Sequence, residues 1–216
     1  FKLYKNIFNV GDTMPKILLA TGNAHKAKEL LKILPRVTEN GAVIEYLTFA
    51  DFPNIPEPEE DAQTLKENAI IKALAGLKAT GLPSLADDTG LMVDALGGQP
   101  GVYSGRYAFK DRADYPANNE KLLRELKDIP MPKRTAHFAT VAALALPEGT
   151  ITTKEGRVEG YIAFEHSGAN GFGYDPLFIV KDLNKTMAAM TLEEKNQISH
   201  RARAFAQMAE VLKKLS

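Results

Sequence analysis

The stretch SLADDTGLMVDALGGQPGVYSGR, residues 84–106, places two acidic side chains between an apolar strand start and a glycine-rich loop. Leu85 and Ala86 predict a buried strand, and Asp87 and Asp88 follow where that strand is expected to emerge at a cleft. Adjacent carboxylates there are costly unless cations or hydrogen-bond donors compensate them. The combination predicts a site for metal and phosphate. Because neighbouring strand side chains point to opposite faces, we expect only one of the two to face the cleft.

The composition limits the classes of protein to which the chain can belong. Of 216 residues, 44% are hydrophobic, which suffices for one α/β domain. Lys plus Arg and Asp plus Glu each number 27, so the charge balance does not favour binding to nucleic acid or to an anionic membrane. The absence of cysteine excludes disulfides, thiolate metal sites and thiol nucleophiles. No secretory leader or bilayer-length apolar run is visible, so we expect a cytoplasmic protein.

Residues 1–13 differ in character from the rest of the chain. Met14 and Pro15 look like a natural start placed just before a strand. We therefore interpret residues 1–13 as a tag or upstream remnant and treat residues 14–216 as a single domain.

The first half of that domain begins with a strand, a loop and a helix. Lys16 to Ala20 is a short apolar run, Thr21-Gly22-Asn23 has turn chemistry, and leucines then recur at helical spacing. Asn23 could cap the helix, and its free N–H groups together with Lys26 would form an anion site. The alternative is a tight turn with an ordinary capping residue.

A second helix is predicted from Asp61, as its N-cap, to about Ala79, after a strand over Val43 to Phe49 and a proline-rich connection. Thr64, Asn68 and Lys72 fall four residues apart and form a polar row. The row is either a solvated face or part of the site to which the helix leads. Glu67 lies beside the row, and the apolar residues expected to face the core are Leu65, Ile70, Ile71, Leu74 and Leu77.

The second half of the chain is rich in predicted strands. A helix capped by Asp114 is assigned a packing role only. Thr135 to Leu146 and Thr150 to Phe164 are β-rich, the latter continuing around a predicted turn at Lys154-Glu155-Gly156. Strands in this half are therefore expected to be antiparallel neighbours in a mixed sheet.

Two further segments carry candidate binding groups. The loop Gly168 to Tyr174 brings Phe172 and Tyr174 next to several glycines, either to present flat surfaces to a base or as a hairpin with buried aromatics. Near the end, Thr191 begins a capping box, and a second helical stretch follows Ser199-His200-Arg201. His200 is either a hydrogen-bonded structural residue or a donor to carbonyl or phosphate oxygens.

Taken in order from Lys16 to Leu215, these motifs resemble the inosine triphosphate pyrophosphatase family. None of the motifs is sufficient alone. The residues that carry the resemblance are Thr21-Gly22-Asn23 with Lys26, Glu67-Asn68-Ala69 with Lys72, Ala86-Asp87-Asp88-Thr89-Gly90-Leu91, Gly97-Gly98 with Pro100-Gly101-Val102-Tyr103-Ser104, Gly171-Phe172-Gly173-Tyr174-Asp175-Pro176, and Glu194-Lys195-Asn196 with Ser199-His200-Arg201.

The resemblance implies a long twisted mixed β-sheet with helices on both sides, forming two lobes around a central active-site cleft. It also implies a homodimer and a Mg²⁺-dependent hydrolysis of non-standard purine triphosphates (ITP, dITP and XTP) to monophosphate and pyrophosphate, which cleanses the nucleotide pool. Carried onto this chain, the resemblance and the motifs suggest a catalytic group of Asp88, Lys72 and Glu67 and a metal site of Asp88 with one or both of Glu59 and Glu60. The implied substrate-binding residues are Thr21, Gly22, Asn23, Ala24, His25, Lys26, Thr89, Phe172, Gly173, Tyr174, Asp175, Lys195, His200 and Arg201.

Two other functions remain open on the sequence alone. The same glycine loops and basic residues would suit a non-enzymatic nucleotide-binding regulatory module, which would bind nucleotide without turnover. A nucleotide phosphatase of broader range would also accept deoxynucleotides or modified pyrimidines. No basic stripe with interleaved aromatics is present, so nucleic-acid binding is not expected.

Overall fold

The computed structural model describes residues 14–52, 55, 56, 58 and 60–215. Among them, eight strands form one sheet and five α-helices pack around it. The interpretation of residues 1–13 falls outside this range. The strands are β1 Lys16–Leu19, β2 Glu45–Thr48, β3 Ser84–Val93, β4 Pro100–Gly101, β5 Thr135–Ala145, β6 Ile151–Ile162, β7 Phe178–Val180 and β8 Lys185–Thr186. The helices are α1 Ala24–Ile33, α2 Leu65–Thr80, α3 Tyr115–Glu125, α4 Leu192–Ile198 and α5 His200–Leu212.

The sheet is mixed, as the sequence predicts. Its strands follow the order β2-β1-β3-β5-β6-β7-β8, with β4 paired to β3 outside this path. Strand β1 runs parallel to both β2 and β3, whereas β3, β5, β6, β7 and β8 are successive antiparallel neighbours.

One edge of β3 is left partly uncovered, and this gap positions the site. The pairing with β1 ends where Leu19 meets Leu85, and the pairing with β4 begins at Leu91. Between them, residues 86–90 pair with β5 on one side only. Asp87 and Asp88 therefore lie within a ten-residue strand and not at its end, which corrects the prediction. The cleft expected beside Asp87 and Asp88 exists because β1 ends at Leu19.

Helices cover both faces of the sheet, and the core is divided accordingly. Leu30 of α1 and Phe205 of α5 pack on one face, in a cluster with Leu85. Ala69 of α2 packs on the opposite face with Ala86. A third cluster surrounds Leu122 of α3 at the other half of the sheet. No helix within the described residues combines the length and apolarity needed to cross a membrane.

Side-chain caps set the starts of the helices, largely as predicted. Asn23 caps α1, Asp114 caps α3 by accepting from the N–H of Ala117, and Thr191 begins α4 with a capping box. The start of α2 differs, because Thr64 and not Asp61 accepts from the N–H of Glu67.

Helix α2 buries a narrower face than its apolar residues suggest. Ala69, Ala73 and Gly76 are buried together with Asn68 and Lys72, whereas Leu74 is 42% exposed. A Cβ atom on Gly76 would lie 2.3 Å from Oγ of Ser84, so the helix approaches the sheet too closely for larger side chains. The prediction that Leu74 faces the core is therefore wrong, because small residues permit this close contact.

The predicted turn at Lys154-Glu155-Gly156 is also wrong. These residues lie in the middle of β6, and the chain turns instead between Leu146 and Thr150. Gly156 is required for packing, since a Cβ atom there would be 2.1 Å from the carbonyl oxygen of His200 in α5. A glycine within a strand can mark close approach of another backbone as well as a turn.

Candidate active site

A cavity of about 420 Å³ opens at the uncovered edge of β3. Its walls come from the loop before α1, from α2 and β3, from the loop before β7 and from the starts of α3 and α5. The fold thus gathers segments that are far apart in the sequence. The predicted site residues lining the cavity are Thr21, Gly22, Asn23, Lys26, Glu60, Lys72, Asp88, Thr89, Phe172, Gly173, Tyr174, Asp175, Lys195, His200 and Arg201.

Asp87 is held by cations from α1 and α5. Its Oδ2 lies 3.2 Å from Nζ of Lys26 and 3.5 Å from the guanidinium of Arg201, and it accepts from Thr89 Oγ1 at 3.0 Å. Burial alone would raise the pKa of Asp87, but Lys26 and Arg201 outweigh it and hold the pKa well below its ordinary value. Asp87 therefore remains ionised and anchors these cations at the cavity.

Asp88 is held from the other side by α2. Its Oδ1 accepts from Nζ of Lys72 at 2.8 Å, and its Oδ2 accepts from the amide of Asn68 at 3.5 Å. Lys72 also lies 3.3 Å from Oε1 of Glu60. Burial raises the pKa of Asp88 above its ordinary value against the opposing effect of Lys72. Of the polar row on α2, Asn68 and Lys72 are therefore buried against Asp88, whereas Thr64 is exposed and caps the helix.

The two adjacent carboxylates point to opposite faces of β3, as expected for neighbouring strand residues. Asp87 meets residues of α1 and α5, and Asp88 meets residues of α2. Both nevertheless line the cavity. The expectation that only one faces the cleft is wrong, because β1 ends at Leu19 and leaves the edge of β3 open to the cavity from both faces.

A buried ionic network continues from Asp87 towards the loop before β7. Glu29 of α1 accepts from Nζ of Lys195 at 2.7 Å and from a guanidinium nitrogen of Arg201 at 2.6 Å. Lys195 in turn donates to Asp175 at 2.6 Å. Burial would raise the pKa of Glu29, but Arg201 and Lys195 lower it. Each charge in this network therefore has an opposite neighbour, as buried ions require.

Both aromatic residues of the loop before β7 line the cavity, but Phe172 is partly exposed whereas Tyr174 is buried. The rings of His25 and Phe172 are stacked at 5.7 Å, and Nζ of Lys195 lies 5.0 Å from the Phe172 centroid. Tyr174 is buried, and its hydroxyl donates to the carbonyl oxygen of Ser104 at 2.9 Å. Of the two interpretations of this loop, the flat surface applies to Phe172 and the buried aromatic to Tyr174.

Three buried polar atoms at the cavity lack a hydrogen-bond partner among the described residues. They are Oδ1 of Asp87, Nδ1 of His200 and Nε of Arg201. The ring of His200 also stacks on Phe138 at 4.5 Å. Unsatisfied buried polar atoms are rare in folded proteins, and all three of these belong to residues that line the cavity.

The oxygen-rich wall of the cavity fits a hard divalent cation. The carboxylates of Asp87, Asp88 and Glu60 all line it, and Oδ1 of Asp87 is unpartnered. The part of the chain that the structure describes contains no ready-made cluster of three acidic or histidine ligands.

Some predicted site residues are not brought into the cavity wall. Glu67 is exposed, and its carboxylate accepts from Thr64 at 2.8 Å. Ala24 is exposed on the first turn of α1, and His25 is exposed where it stacks on Phe172. Glu59 lies outside the described residues.

The N-terminus of α1 also differs from the simple anion site that its sequence suggests. Oδ1 of Asn23 already accepts from the N–H groups of His25 and Lys26, at 3.0 and 3.2 Å. An anion at this end would therefore rely mainly on the ammonium group of Lys26, which lines the cavity.

Two residues of the site were not anticipated from the sequence. Glu29 lies about one helical turn after Lys26 and next to buried Leu30. A charged residue at this place on the apolar face of α1 could have indicated a buried ion pair. Tyr115 lines the cavity although α3 was assigned packing alone. No local pattern indicated this, because the approach of α3 depends on the loop that precedes it.

Comparison with known proteins agrees with this geometry. A family model described as the Ham1 family matches residues 17–211. A protein of Elusimicrobium minutum named dITP/XTP pyrophosphatase is 54% identical over 198 residues, which cover 92% of this chain and 100% of the relative. A Bacillus subtilis protein of the same name is 48% identical over 200 residues, covering 92% and 98% of the two chains.

Solved structures give the same result. The HAM1 protein from Coxiella burnetii has a TM-score of 0.82 at 41% identity, with coverage of 94% of this chain and 100% of that one. The Ham1 protein of Staphylococcus aureus has a TM-score of 0.78 at 38% identity, with coverage of 92% and 98%. The predicted family resemblance and the predicted α/β fold are therefore confirmed. By the family model, by near-complete alignment with these relatives and by its fold, this chain belongs to the Ham1 family.

Proposed function

We propose that this protein hydrolyses non-standard purine nucleoside triphosphates to the nucleoside monophosphate and pyrophosphate. The single observation that carries the proposal is the pair Asp87 and Asp88, which line one cavity with cations bound on both faces of the strand. The names of the relatives supply the substrate class, since they are called dITP/XTP pyrophosphatases. Together they favour an enzyme over a regulatory module, because a binding module needs no carboxylate beside the phosphate-binding cations.

The triphosphate would be bound by lysine side chains from three segments. Lys26, Lys72 and Lys195 all line the cavity, and each already pairs with a carboxylate. Their charges are thereby held in fixed positions before substrate arrives. Phosphate transfer depends mainly on such positioning and on prearranged charge. Of the predicted catalytic group, Lys72 and Asp88 stay in the proposal, whereas exposed Glu67 is left out.

The reaction joins a water oxygen to the α-phosphorus and breaks the bond from that phosphorus to the bridging oxygen, so that pyrophosphate leaves. Asp88 would orient the water and accept its proton, and Lys72 keeps the carboxylate in place through their 2.8 Å contact. Asp88 and Glu60 would hold Mg²⁺, which, when bound, neutralises charge on the phosphate oxygens. Glu59 lies outside the described residues.

The base would be read by Arg201 and His200, which both line the cavity. Nε of Arg201 and Nδ1 of His200 are buried without partners among the described residues, and Phe172 supplies a flat surface. A donor there pairs with the 6-oxo group of hypoxanthine or xanthine but meets another donor in the 6-amino group of adenine. An unsatisfied buried donor costs about 1–3 kcal/mol, so adenine is disfavoured.

The decisive experiment is product identification with ITP, dITP, XTP and the four common triphosphates in the presence of Mg²⁺. We expect equal amounts of monophosphate and pyrophosphate from the non-standard purines. Asp88→Asn should lower kcat by about 10²–10⁴-fold, as for the loss of a general base. Asp128→Asn serves as the matched control, because this aspartate is exposed and pairs only with Lys127 within the described part of the chain.

Other outcomes would point elsewhere. Release of orthophosphate, or an unchanged rate in Asp88→Asn, contradicts the proposal. Tight binding of ITP without turnover at any divalent metal would instead support a regulatory module. Comparable turnover of ordinary deoxynucleotides would support a nucleotide phosphatase of broader range.

A homodimer and a cytoplasmic location complete the proposal. The dimer is implied by the family resemblance, and the location is the one expected from the sequence pattern. Light scattering coupled to size-exclusion chromatography should report about twice the mass of one 23.6 kDa chain. A mass of one chain over the range of concentrations used for activity would contradict the dimer.

A further inference from the structure

Tyr115 occupies a cavity position that the proposed chemistry does not use. It is the first residue of α3, directly after the capping residue Asp114 and before Pro116. The cap and the proline fix the start of the helix. The half-buried ring therefore reaches the cavity from a firmly held backbone position.

The hydroxyl of Tyr115 has unused hydrogen-bonding capacity. It accepts from the side-chain amide of Asn23 at 3.5 Å, the outer limit for such a bond, and donates to no described residue. Burial raises the pKa of Tyr115 above its ordinary value, although Arg201 opposes the shift. The hydroxyl thus keeps its proton at neutral pH and can donate it to a ligand.

Tyr115 is next to both a segment proposed to bind the triphosphate and a ring proposed to bind the base. On one side is Asn23, which caps α1 beside the phosphate-binding Lys26. On the other side is the Phe172 ring, whose centroid is 6.1 Å from that of Tyr115. A group that spans the distance between base and triphosphate is the sugar, which carries hydroxyl groups able to accept and donate.

Helix α3 is hydrogen-bonded to the loop that carries Phe172, and this bond fixes the position of Tyr115. Asn119, one turn after Tyr115, donates to the carbonyl oxygen of Gly173 at 3.0 Å. The Tyr115 ring also lies beside the Phe172 ring of that loop, tilted by 57° to it with the centroids 6.1 Å apart. Side chains four residues apart lie on the same helix face. Tyr115 and the Phe172 loop are therefore held together as one wall.

We propose that Tyr115 is a nucleotide-binding residue whose hydroxyl donates a hydrogen bond to the sugar of the bound nucleotide. The inference rests on the proposed function and adds a sugar-binding group to the same site. Tyr115 acts on the part of the substrate that does not react. Its loss should therefore weaken binding and leave the chemical step unchanged.

The test is Tyr115→Phe, which removes the hydroxyl and keeps the ring. We expect KM for ITP to rise about fivefold to tenfold, as for one neutral hydrogen bond, with kcat within about twofold of wild type. The dissociation constant of inosine monophosphate, measured by calorimetry, should rise by the same factor and involves no turnover. Tyr161→Phe is the control, because this tyrosine lies on β6, is also half-buried and does not line the cavity.

Comparison of ITP with dITP identifies the sugar atom. A rise in KM for both substrates assigns the contact to a group that both sugars share, and a rise for ITP alone assigns it to the 2′-hydroxyl. Unchanged KM and unchanged monophosphate binding in Tyr115→Phe, with an active wild type, overturn the inference and leave the proposed function standing. A wild type that neither hydrolyses ITP nor binds the monophosphate overturns both.

A second variant separates a direct contact from an effect through Asn23. Asn23→Ser removes the amide that donates to Tyr115 but keeps an oxygen that can cap α1. Because Asn23 and Tyr115 share a hydrogen bond, their effects need not add fully, but if Tyr115 contacts the sugar the double variant should have a higher KM than Asn23→Ser alone. A double variant no weaker than Asn23→Ser alone would mean that Tyr115 only positions Asn23, and would overturn the inference.

Discussion

Glu29 and Lys195 are 166 positions apart in the sequence, and their side chains form a buried ion pair of 2.7 Å. The same carboxylate binds Arg201, so Glu29 joins α1 to both C-terminal helices. Lys195 and Arg201 are two of the cations that line the cavity. A residue outside the cavity wall thus holds cavity cations in place, and the stability of the fold is coupled to the order of the site.

Glu29→Gln should destabilise the protein. The substitution leaves two buried cations without their shared carboxylate, and breaking a buried ion pair costs about 3–5 kcal/mol. We expect the free energy of unfolding, measured by urea denaturation, to fall by about that amount. Glu210→Gln removes an exposed partner of Lys213 and should have no measurable effect. Equal losses in the two variants would contradict the role of Glu29.

The free energy of unfolding should depend on pH through His200. Burial, with Arg201 and Lys195, holds the pKa of His200 well below its ordinary value of about 6.5. The folded state therefore keeps His200 neutral while the unfolded state takes up a proton below about pH 6.5. The contribution of neutral His200 to the free energy of unfolding is therefore complete above about pH 6.5. It falls as the pH decreases below that value, by about 1.4 kcal/mol per pH unit.

Comparison with His200→Gln isolates this effect. Between about pH 5 and pH 6.5 the variant should show a shallower decline in unfolding free energy than wild type, whatever its absolute stability. His137, whose pKa burial also lowers, contributes with the same sign in both proteins and so cancels. Glu29 and Asp87 have lowered pKa values, so their contributions are lost only in more acidic solution. Parallel pH profiles would show that His200 is protonated in the folded state.

Arg106→Met should weaken the response to Mg²⁺. The guanidinium of Arg106 donates to the backbone carbonyl of Glu60 and thereby holds the segment that presents this carboxylate. Residues that orient a metal ligand typically affect metal affinity by about 10–100-fold. We expect a roughly tenfold higher Mg²⁺ concentration at half-maximal rate, with kcat restored at saturating metal. Weaker Mn²⁺ binding, measured by electron paramagnetic resonance without substrate, should accompany it.

Arg112→Met is the control for Arg106. Its guanidinium carbon lies 3.8 Å from the centroid of the Phe109 ring, and Arg112 is exposed and does not line the cavity. This variant should show the Mg²⁺ dependence of wild type. The same shift in both variants would indicate a general effect of lost positive charge, and Arg106 would then have no specific role at Glu60.

Gly156→Ala should separate α5 from the sheet. The added Cβ would lie 2.1 Å from the carbonyl oxygen of His200 and 2.4 Å from the backbone nitrogen of Ala204, so a backbone must move. Overpacking of this kind costs about 1–3 kcal/mol. We expect a Tm lower by several degrees, with a loss of activity because His200 and Arg201 begin the displaced helix. Gly105→Ala, where a Cβ meets nothing within 4 Å, should leave Tm unchanged.

Local patterns in the sequence were sufficient for the parts of the fold that depend on near neighbours. Asp114 and Thr191 cap helices as predicted, because a cap bonds to backbone two or three residues away. The strand that begins at Ser84 also follows from apolar Leu85 and Ala86, although its continuation to Val93 was not predicted. The paired carboxylates indicated the site because they are adjacent in the sequence, and two adjacent buried charges require compensation wherever they lie.

The errors concern relations between distant segments. Gly156 suggested a turn, but it is a glycine because α5 crosses β6 at that point. Leu74 suggested a core face, but α2 packs through alanine and glycine. In each case a residue type has two physical explanations, and the choice depends on which element packs against it.

The sequence by itself determined the class of chemistry: an acidic pair on a strand, lysines near a helix start and an aromatic glycine-rich loop, all consistent with one ordered set of motifs. Only the tertiary structure decided that both Asp87 and Asp88 face the cavity, that Glu29 holds Lys195 and Arg201, and that Tyr115 joins the wall. The physical reason is the distance along the chain over which each kind of interaction acts. Caps and periodicity act within a few residues, whereas the end of β1 and the docking of α3 and α5 are set by packing across the whole sheet.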